Sequence, residues 1–130
     1  MKIAIFENEY KSVKLSFEAC NSILFENKLK LVNFTKSQDF DFEQIKEFDV
    51  FFVDIDLSVR SDLDGYKLIK LLIEIDPMVA HKIIVLTGNN KIVENLNNNG
   101  IIDPIIHNNI VMKPTNFFEL GEAINKVSLK

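Results

Sequence analysis

The chain has 130 residues, 47% of them hydrophobic, which is the size of one domain able to bury a core without disulfide or metal staples. Its net charge of −4, from 15 basic and 19 acidic residues, argues against direct binding to a nucleic-acid backbone, which calls for a basic face. Apolar runs stop short of the roughly 20 residues of a membrane span, and Met1-Lys2 leads into a short strand rather than a signal-peptide core, so no membrane insertion and a cytoplasmic location are expected.

Ile3-Ala4-Ile5-Phe6 reads as a buried strand that breaks into the acidic loop Glu7-Asn8-Glu9. Val13, Phe17, Cys20 and Leu24 then recur at helical spacing, and the lone Cys20 in that stripe is read as core packing. Leu29 to Phe34 is a second strand. After it, Asp41-Phe42-Glu43-Gln44 resembles a capping box before Ile45 and Phe48, which predicts a short second helix.

The stretch Asp49-Val50-Phe51-Phe52-Val53-Asp54-Ile55-Asp56 organises the chain: a continuous apolar run ending in a carboxylate is the pattern of a central strand covered on both faces. A polar segment runs from Leu57 to Gly65, and Leu68, Ile69, Leu72 and Ile73 form the core face of a helix ended by Pro77. Lys82 to Gly88 is a fourth strand closed by Thr87-Gly88. Asn89-Asn90 opens a weaker helix on Ile92, Val93 and Leu96, stopped by Asn97-Asn98-Asn99-Gly100. Between Ile101 and Asn109, Pro104 is expected to break any regular element, leaving a loop that packs its isoleucines inward. A last strand, Ile110-Val111-Met112, ends at Lys113-Pro114, and Asn116 with Glu119 caps a terminal helix whose buried stripe is Phe117, Leu120, Ile124 and Val127.

Strands alternating with helices require right-handed crossovers and a parallel sheet covered on both faces. Five such units over residues 1–130 predict a single α/β domain, a flavodoxin-like doubly wound sheet in the order 2-1-3-4-5. That order brings the ends of the first and third strands together at a crevice, so Glu7, Asn8, Asp54 and Asp56 should meet there, flanked by Thr87 and Lys113. Carboxylates gathered at one rim are satisfied by a hard cation, and oxygen ligands of this kind suit magnesium. Glu7, Asp54 and a backbone carbonyl near Asp56 are candidate ligands. A carboxylate can also act as a nucleophile toward a phosphoryl group, while a lysine and a hydroxyl neutralise its oxygens. Taken singly, each residue has a plainer reading: Asp54 as a turn former, Thr87-Gly88 as a turn, Lys113 as a solvated lysine. Their joint placement at successive strand ends favours phosphoryl chemistry.

On these residues the chain resembles a response-regulator receiver domain. Met1 to Glu9 resembles the opening strand and acidic pair of that family, Asp54 its phosphoacceptor, Asp64-Gly65 the pair before the third helix, Thr87 its Thr/Ser, and Lys113-Pro114 its Lys-Pro with a cis bond. The resemblance implies that Asp54 accepts a phosphoryl group from a histidine kinase or phosphotransfer protein. Thr87 and Lys113 would assist, and Mg2+ would be held by Glu7, Asn8, Asp54 and the Asp56 carbonyl. It also implies signalling to an effector or a second copy through the face of the fourth helix, fifth strand and fifth helix. The chain departs from the pattern in three ways: Asn8 replaces a carboxylate, which weakens the expected magnesium affinity; the segments after Asp54 and Thr87 are longer than usual; and Ile110 stands where an aromatic switch residue is common. Asn8 and Ile110 favour a second reading, a binding module of the same fold that is never phosphorylated. A third is a phosphatase resembling the haloacid-dehalogenase family, with Asp54 and Asp56 as nucleophile and acid/base, although the further acidic motif after the lysine is lacking. Fourteen lysines to one arginine suggest an AT-rich bacterial genome.

Overall fold

A computed structural model describes residues 1–128. Five strands, β1 (Lys2–Phe6), β2 (Lys30–Phe34), β3 (Val50–Asp54), β4 (Ile83–Thr87) and β5 (Ile110–Met112), form one sheet. All pairings are parallel and the spatial order is β2-β1-β3-β4-β5, as the alternation of patterns predicts. The helices are α1 (Lys14–Ala19), α2 (Gly65–Ile75), α3 (Ile92–Asn98), α4 (Pro104–His107) and α5 (Phe117–Ser128). None is long and apolar enough to cross a membrane.

Every residue of β3 and β4 is buried, which explains why both read as unbroken apolar runs rather than alternating ones. The period of two sorts their side chains into two cores. Ala4, Phe6, Phe51, Val53, Ile83 and Val85 meet Leu68, Ile69 and Leu72 of α2 and Leu96 of α3 on one face. Ile3, Ile5, Val50, Phe52, Ile84 and Leu86 meet Phe17 of α1 and Leu120 and Ile124 of α5 on the other.

Four local expectations need correction. The predicted second helix is a 3-10 turn, Phe42–Glu47, and the Asp41 carboxylate accepts from the Glu43 N–H (3.0 Å) rather than one residue further on. So narrow an element cannot cover a sheet face by itself. Phenylalanines fill the space instead: Phe40 lies edge-on to Phe34, Phe42 and Phe6, with centroids 5.2, 5.1 and 5.4 Å away. Second, α1 continues into a π-type turn, Cys20–Leu24; the extra residue per turn rotates Leu24 out of the buried stripe, leaving it 40% exposed while Cys20 stays buried. Third, Pro104 starts a helix instead of breaking one. It occupies the first helical position, where its missing N–H costs nothing, and Asp103 caps the turn by accepting from the Ile105 N–H (2.9 Å). Of the isoleucines there, Ile101 and Ile106 are buried but Ile102 is exposed. Val93, expected in the core face of α3, is also exposed.

The stop after α3 follows the Asn-Gly signal closely. Gly100 has φ +79°, the Gly100 N–H donates to the Asn97 carbonyl (3.1 Å), and the Ile101 N–H reaches back to Leu96 (2.9 Å). This is a Schellman closure, with Leu96 and Ile101 in the same core. At the other end of the chain, the Asn116 side chain accepts from the Glu119 N–H (2.9 Å) and donates to the Glu119 carboxylate (3.0 Å), capping α5 reciprocally.

The start of α2 is pressed against the end of β3. A Cβ on Gly65 would stand 2.5 Å from the Asp54 carbonyl oxygen and 2.5 Å from the Ile55 Cα, both backbone atoms that cannot swing aside. The Gly65 N–H donates to the Ile55 carbonyl (3.2 Å), and the Asp64 carboxylate caps the helix at the Lys67 N–H (2.8 Å). Gly65→Ala is therefore expected to lower stability by about 2–4 kcal/mol, as overpacking against fixed backbone does, measured by denaturant unfolding. A substitution within 0.5 kcal/mol of the parent would contradict the close approach.

Candidate functional site

Three chain segments far apart in sequence converge at the C-terminal rim of the sheet. Glu7 follows β1, and its position is set by the backbone: its N–H donates to the Phe34 carbonyl (3.1 Å), and the Asn33 amide donates to the carbonyls of Ile5 and Glu7 (3.0 Å each). Its side chain is buried, with Oε1 accepting from the Glu9 N–H at 3.2 Å. Asp54 ends β3, also buried, and its Oδ1 accepts from the Asp56 N–H (3.0 Å). Lys113 follows β5 and precedes a cis peptide bond to Pro114. Its Nζ lies 3.2 Å from Glu7 Oε2 and 3.2 Å from Asp54 Oδ2, bridging the two carboxylates.

Thr87 ends β4 at the same rim, beside β3. It is fully buried; its Oγ1 accepts from the Asn89 N–H (3.0 Å), and its carbonyl accepts from the Lys113 N–H (2.7 Å). Glu7, Asp54 and Lys113 are thus in direct contact, with Thr87 adjoining through the Lys113 backbone. Asn8 is half-buried and lines a shallow depression with Tyr10, Lys14, Asn33 and Thr35, on the β2 side of the rim. The Asp56 side chain is exposed, and its recorded bond to Asp54 is made through its backbone N–H.

Two carboxylates and one ammonium leave one negative charge in excess, and the buried rim disfavours it. Burial first, then the hydrogen bond and charge of Asp54, push the Glu7 carboxyl up from its ordinary 4.5 to about 7, against the opposing pull of Lys113. For Lys113, burial alone would lower the ammonium's pKa, but the charges of Asp54 and Glu7 outweigh it and the net direction is upward. Near neutral pH Glu7 can therefore carry a proton. A divalent cation would replace that proton. Among the described residues no three His, Cys, Asp or Glu side chains converge into a cage, so such an ion would be held by Glu7 and Asp54 with neutral oxygens around them.

The sequence did not mark Asn33 as a site residue. Its signal was a carboxamide inside the otherwise apolar Leu31-Val32-Asn33-Phe34, a polar group that needs partners when half-buried in a strand.

The sign of the Glu7 shift fixes a pH dependence. With its folded pKa above the unfolded value, Glu7 contributes stability that is fully present below about pH 4.5 and is lost as pH rises through about 7. Glu7→Gln keeps the uncharged form and an N–H to offer Asp54. It should match the parent near pH 4 and exceed it by about 1–2 kcal/mol at pH 8.5 in denaturant unfolding. Equal curves at both pH values would remove the excess charge from the rim.

No protein-family model matches the chain, and no curated protein sequence does. Solved structures do. The signal receiver domain of a DNA-binding response regulator protein (merR) from Colwellia psychrerythraea superposes with a TM-score of 0.71 at 18% identity, covering 100% of this chain and 99% of that one. The receiver domain of NtrX from Brucella abortus gives 0.69 at 18% identity, covering 98% of each chain. The phosphorylated cyanobacterial phytochrome response regulator RcpA gives 0.64 at 15% identity, covering 97% of this chain and 89% of that one. At such low identity these likenesses establish architecture, and over nearly its whole length this chain has the fold of a response-regulator receiver domain.

Proposed function

We propose that the protein is a phosphoryl-accepting signalling module and that Asp54 is the acceptor. The observation that carries this reading is the contact of Lys113 Nζ with both Glu7 and Asp54 at 3.2 Å, on a buried rim reached from β1, β3 and β5. In the transfer, one Asp54 carboxylate oxygen forms a bond to phosphorus as the bond from phosphorus to the donor nitrogen of a phosphohistidine breaks, and the freed imidazole nitrogen takes up a proton from solvent. Lys113 neutralises charge on the phosphoryl oxygens, and the Thr87 hydroxyl, released from the Asn89 N–H, donates to another. Mg2+ would be held by Glu7 and Asp54, with the Asp56 carbonyl and Asn8 as neutral ligands; it would supply charge neutralisation of the phosphoryl oxygens. The neutral Asn8 lowers the affinity expected of such a site.

The phosphoryl group adds roughly two negative charges at neutral pH. It would compete with Glu7 for Lys113 and so alter the β5 end. The change would reach a face made by β5, α5 and α3, the helix that follows β4. Val93 on α3 and Met112 on β5 are exposed apolar side chains, consistent with docking of an effector or a second copy. The donor would be a sensor histidine kinase or phosphotransfer protein, and the transfer would then take place in the cytoplasm.

Asn8, together with the ion pair already closing the carboxylates, favours a second reading: a binding module of this fold that takes no phosphoryl group. Incubation with Mg2+ and a small phosphodonor, followed by intact mass measurement, separates the two. Phosphoryl acceptance requires a gain of one phosphoryl mass that is absent in Asp54→Asn, with uptake slowed by about tenfold or more in Lys113→Ala. No gain in the parent even at high Mg2+ would leave the binding module standing.

A further inference from the structure

The loop after β3 is closed at its base and tied at its far side. Its base is the Gly65 N–H to Ile55 carbonyl bond, and Asp56, its first residue, gives its N–H to Asp54. Its tip has nothing to pack on: Val59 is 102% exposed. What holds the far side is a hydrogen-bonded clasp to the turn Ser37–Asp39, which follows β2. Ser61 Oγ accepts from the Ser37 N–H (2.8 Å) and donates to the Leu63 carbonyl (2.7 Å), while Ser37 Oγ accepts from the Leu63 N–H (3.0 Å). The two hydroxyl oxygens are 3.0 Å apart. Each hydroxyl has one proton: with Ser61's on the Leu63 carbonyl, the Ser37 hydroxyl donates to Gln38 Oε1 (3.3 Å). Gln38 adds a second pair: its Nε2 donates to the Arg60 carbonyl (2.8 Å) and its Oε1 accepts from the Asp62 N–H (2.8 Å).

Ser37 is buried, so removal of Ser61 Oγ would leave the Ser37 N–H without its acceptor. Such a network spends polar groups on one loop conformation. A loop with an exposed tip would otherwise sample many. The turn that carries the clasp stands at the end of the edge strand, on a different element from either base residue. Three points of attachment therefore define the loop: Ile55, Gly65 and Ser37.

We propose that Ser37, Gln38 and Ser61 are positioning residues for the rim site. They hold the loop so that the Asp56 N–H stays on Asp54 Oδ1, leaving Asp54 Oδ2 facing Lys113. None of the three touches the reacting atoms. The effect on phosphoryl uptake rests on the reading of Asp54 as acceptor, but the effect on Asp56 does not.

Amide hydrogen exchange resolved by residue tests both ends of the connection. In Ser61→Ala, exchange at Ser37, whose N–H loses its acceptor, should rise by about tenfold or more, and exchange at Asp56 should rise with it. A clasp of only local consequence would leave Asp56 at the parent rate, and that result overturns the proposal. Gln38 is exposed, so Gln38→Ala provides the same comparison in a folded protein should Ser61→Ala unfold: Asp62 and Asp56 must loosen together. Val59→Ala, on the same loop but outside the clasp, should leave Asp56 unchanged; loosening of Asp56 there would assign the effect to the loop in general and overturn the role of the clasp. With a small phosphodonor at saturation, Ser61→Ala should take up phosphoryl groups roughly three- to tenfold more slowly than the parent, a loss of orientation rather than of donor binding. An unchanged saturating rate beside a loosened Asp56 would also overturn the positioning role. If the parent takes up no phosphoryl group at all, the acceptor reading fails by itself, and Asp56 exchange still decides the clasp.

Discussion

The pairing of one ammonium with two buried carboxylates is the constraint on which the rim depends. Glu7 and Asp54 are brought side by side because β1 and β3 are hydrogen-bonded neighbours, with Phe6 level with Val53. Apolar burial on both faces fixes that register, and a slip of one residue would turn every core side chain around. The sheet thus forces two acids together, and the Coulombic cost is met by a lysine from β5, 106 residues along the chain from Glu7 and two strands away from β3. The same contact joins the sheet's short edge strand to its centre. An anion arriving at Asp54 must compete with Glu7 for Lys113, so the rim is already poised between two partners for one cation.

Geometry around Asp54 is equally determined from behind. Gly65 allows α2 to start in contact with the last residue of β3, and any side chain there would push the helix off the strand end. The Asp56 N–H then fixes one oxygen of the Asp54 carboxylate while Lys113 takes the other. With both oxygens assigned, the carboxylate has little rotational freedom. That is the condition under which a nucleophile or ligand acts through positioning rather than intrinsic reactivity.

Much of this was legible in the sequence. Unbroken apolar runs in β3 and β4, helical stripes in α2 and α5, and Asp54, Thr87 and Lys113 at strand ends are direct consequences of burial and topology, and they led to the sheet order and the rim. What the sequence hid were features decided by competition between close alternatives. Asp41 begins a turn in either helical form, and the phenylalanine cluster, a tertiary packing, settles it as 3-10. Pro104 is a breaker or a first residue according to whether Asp103 caps it. Leu24 leaves the stripe because of one extra residue in a π turn, which carries no compositional mark. Ser37 and Ser61 look like ordinary loop serines; only their meeting across 24 residues makes them a pair.

Thr87 shows why position at a strand end does not by itself define a role. Its hydroxyl is already engaged by the Asn89 N–H, so turning it toward a group on Asp54 exchanges one hydrogen bond for another, and the net driving force is only their difference. The bond given up lies at the start of the connection to α3. Movement of Thr87 would therefore be felt in that connection as well as at the β5 end, where its carbonyl accepts from the Lys113 N–H. Ile110, partly buried and packed against the α2-side core, has a stiff β-branched side chain and no polar tip to follow the hydroxyl. A route through the β4–α3 connection needs no aromatic at position 110, because it begins with a backbone N–H that the hydroxyl itself releases.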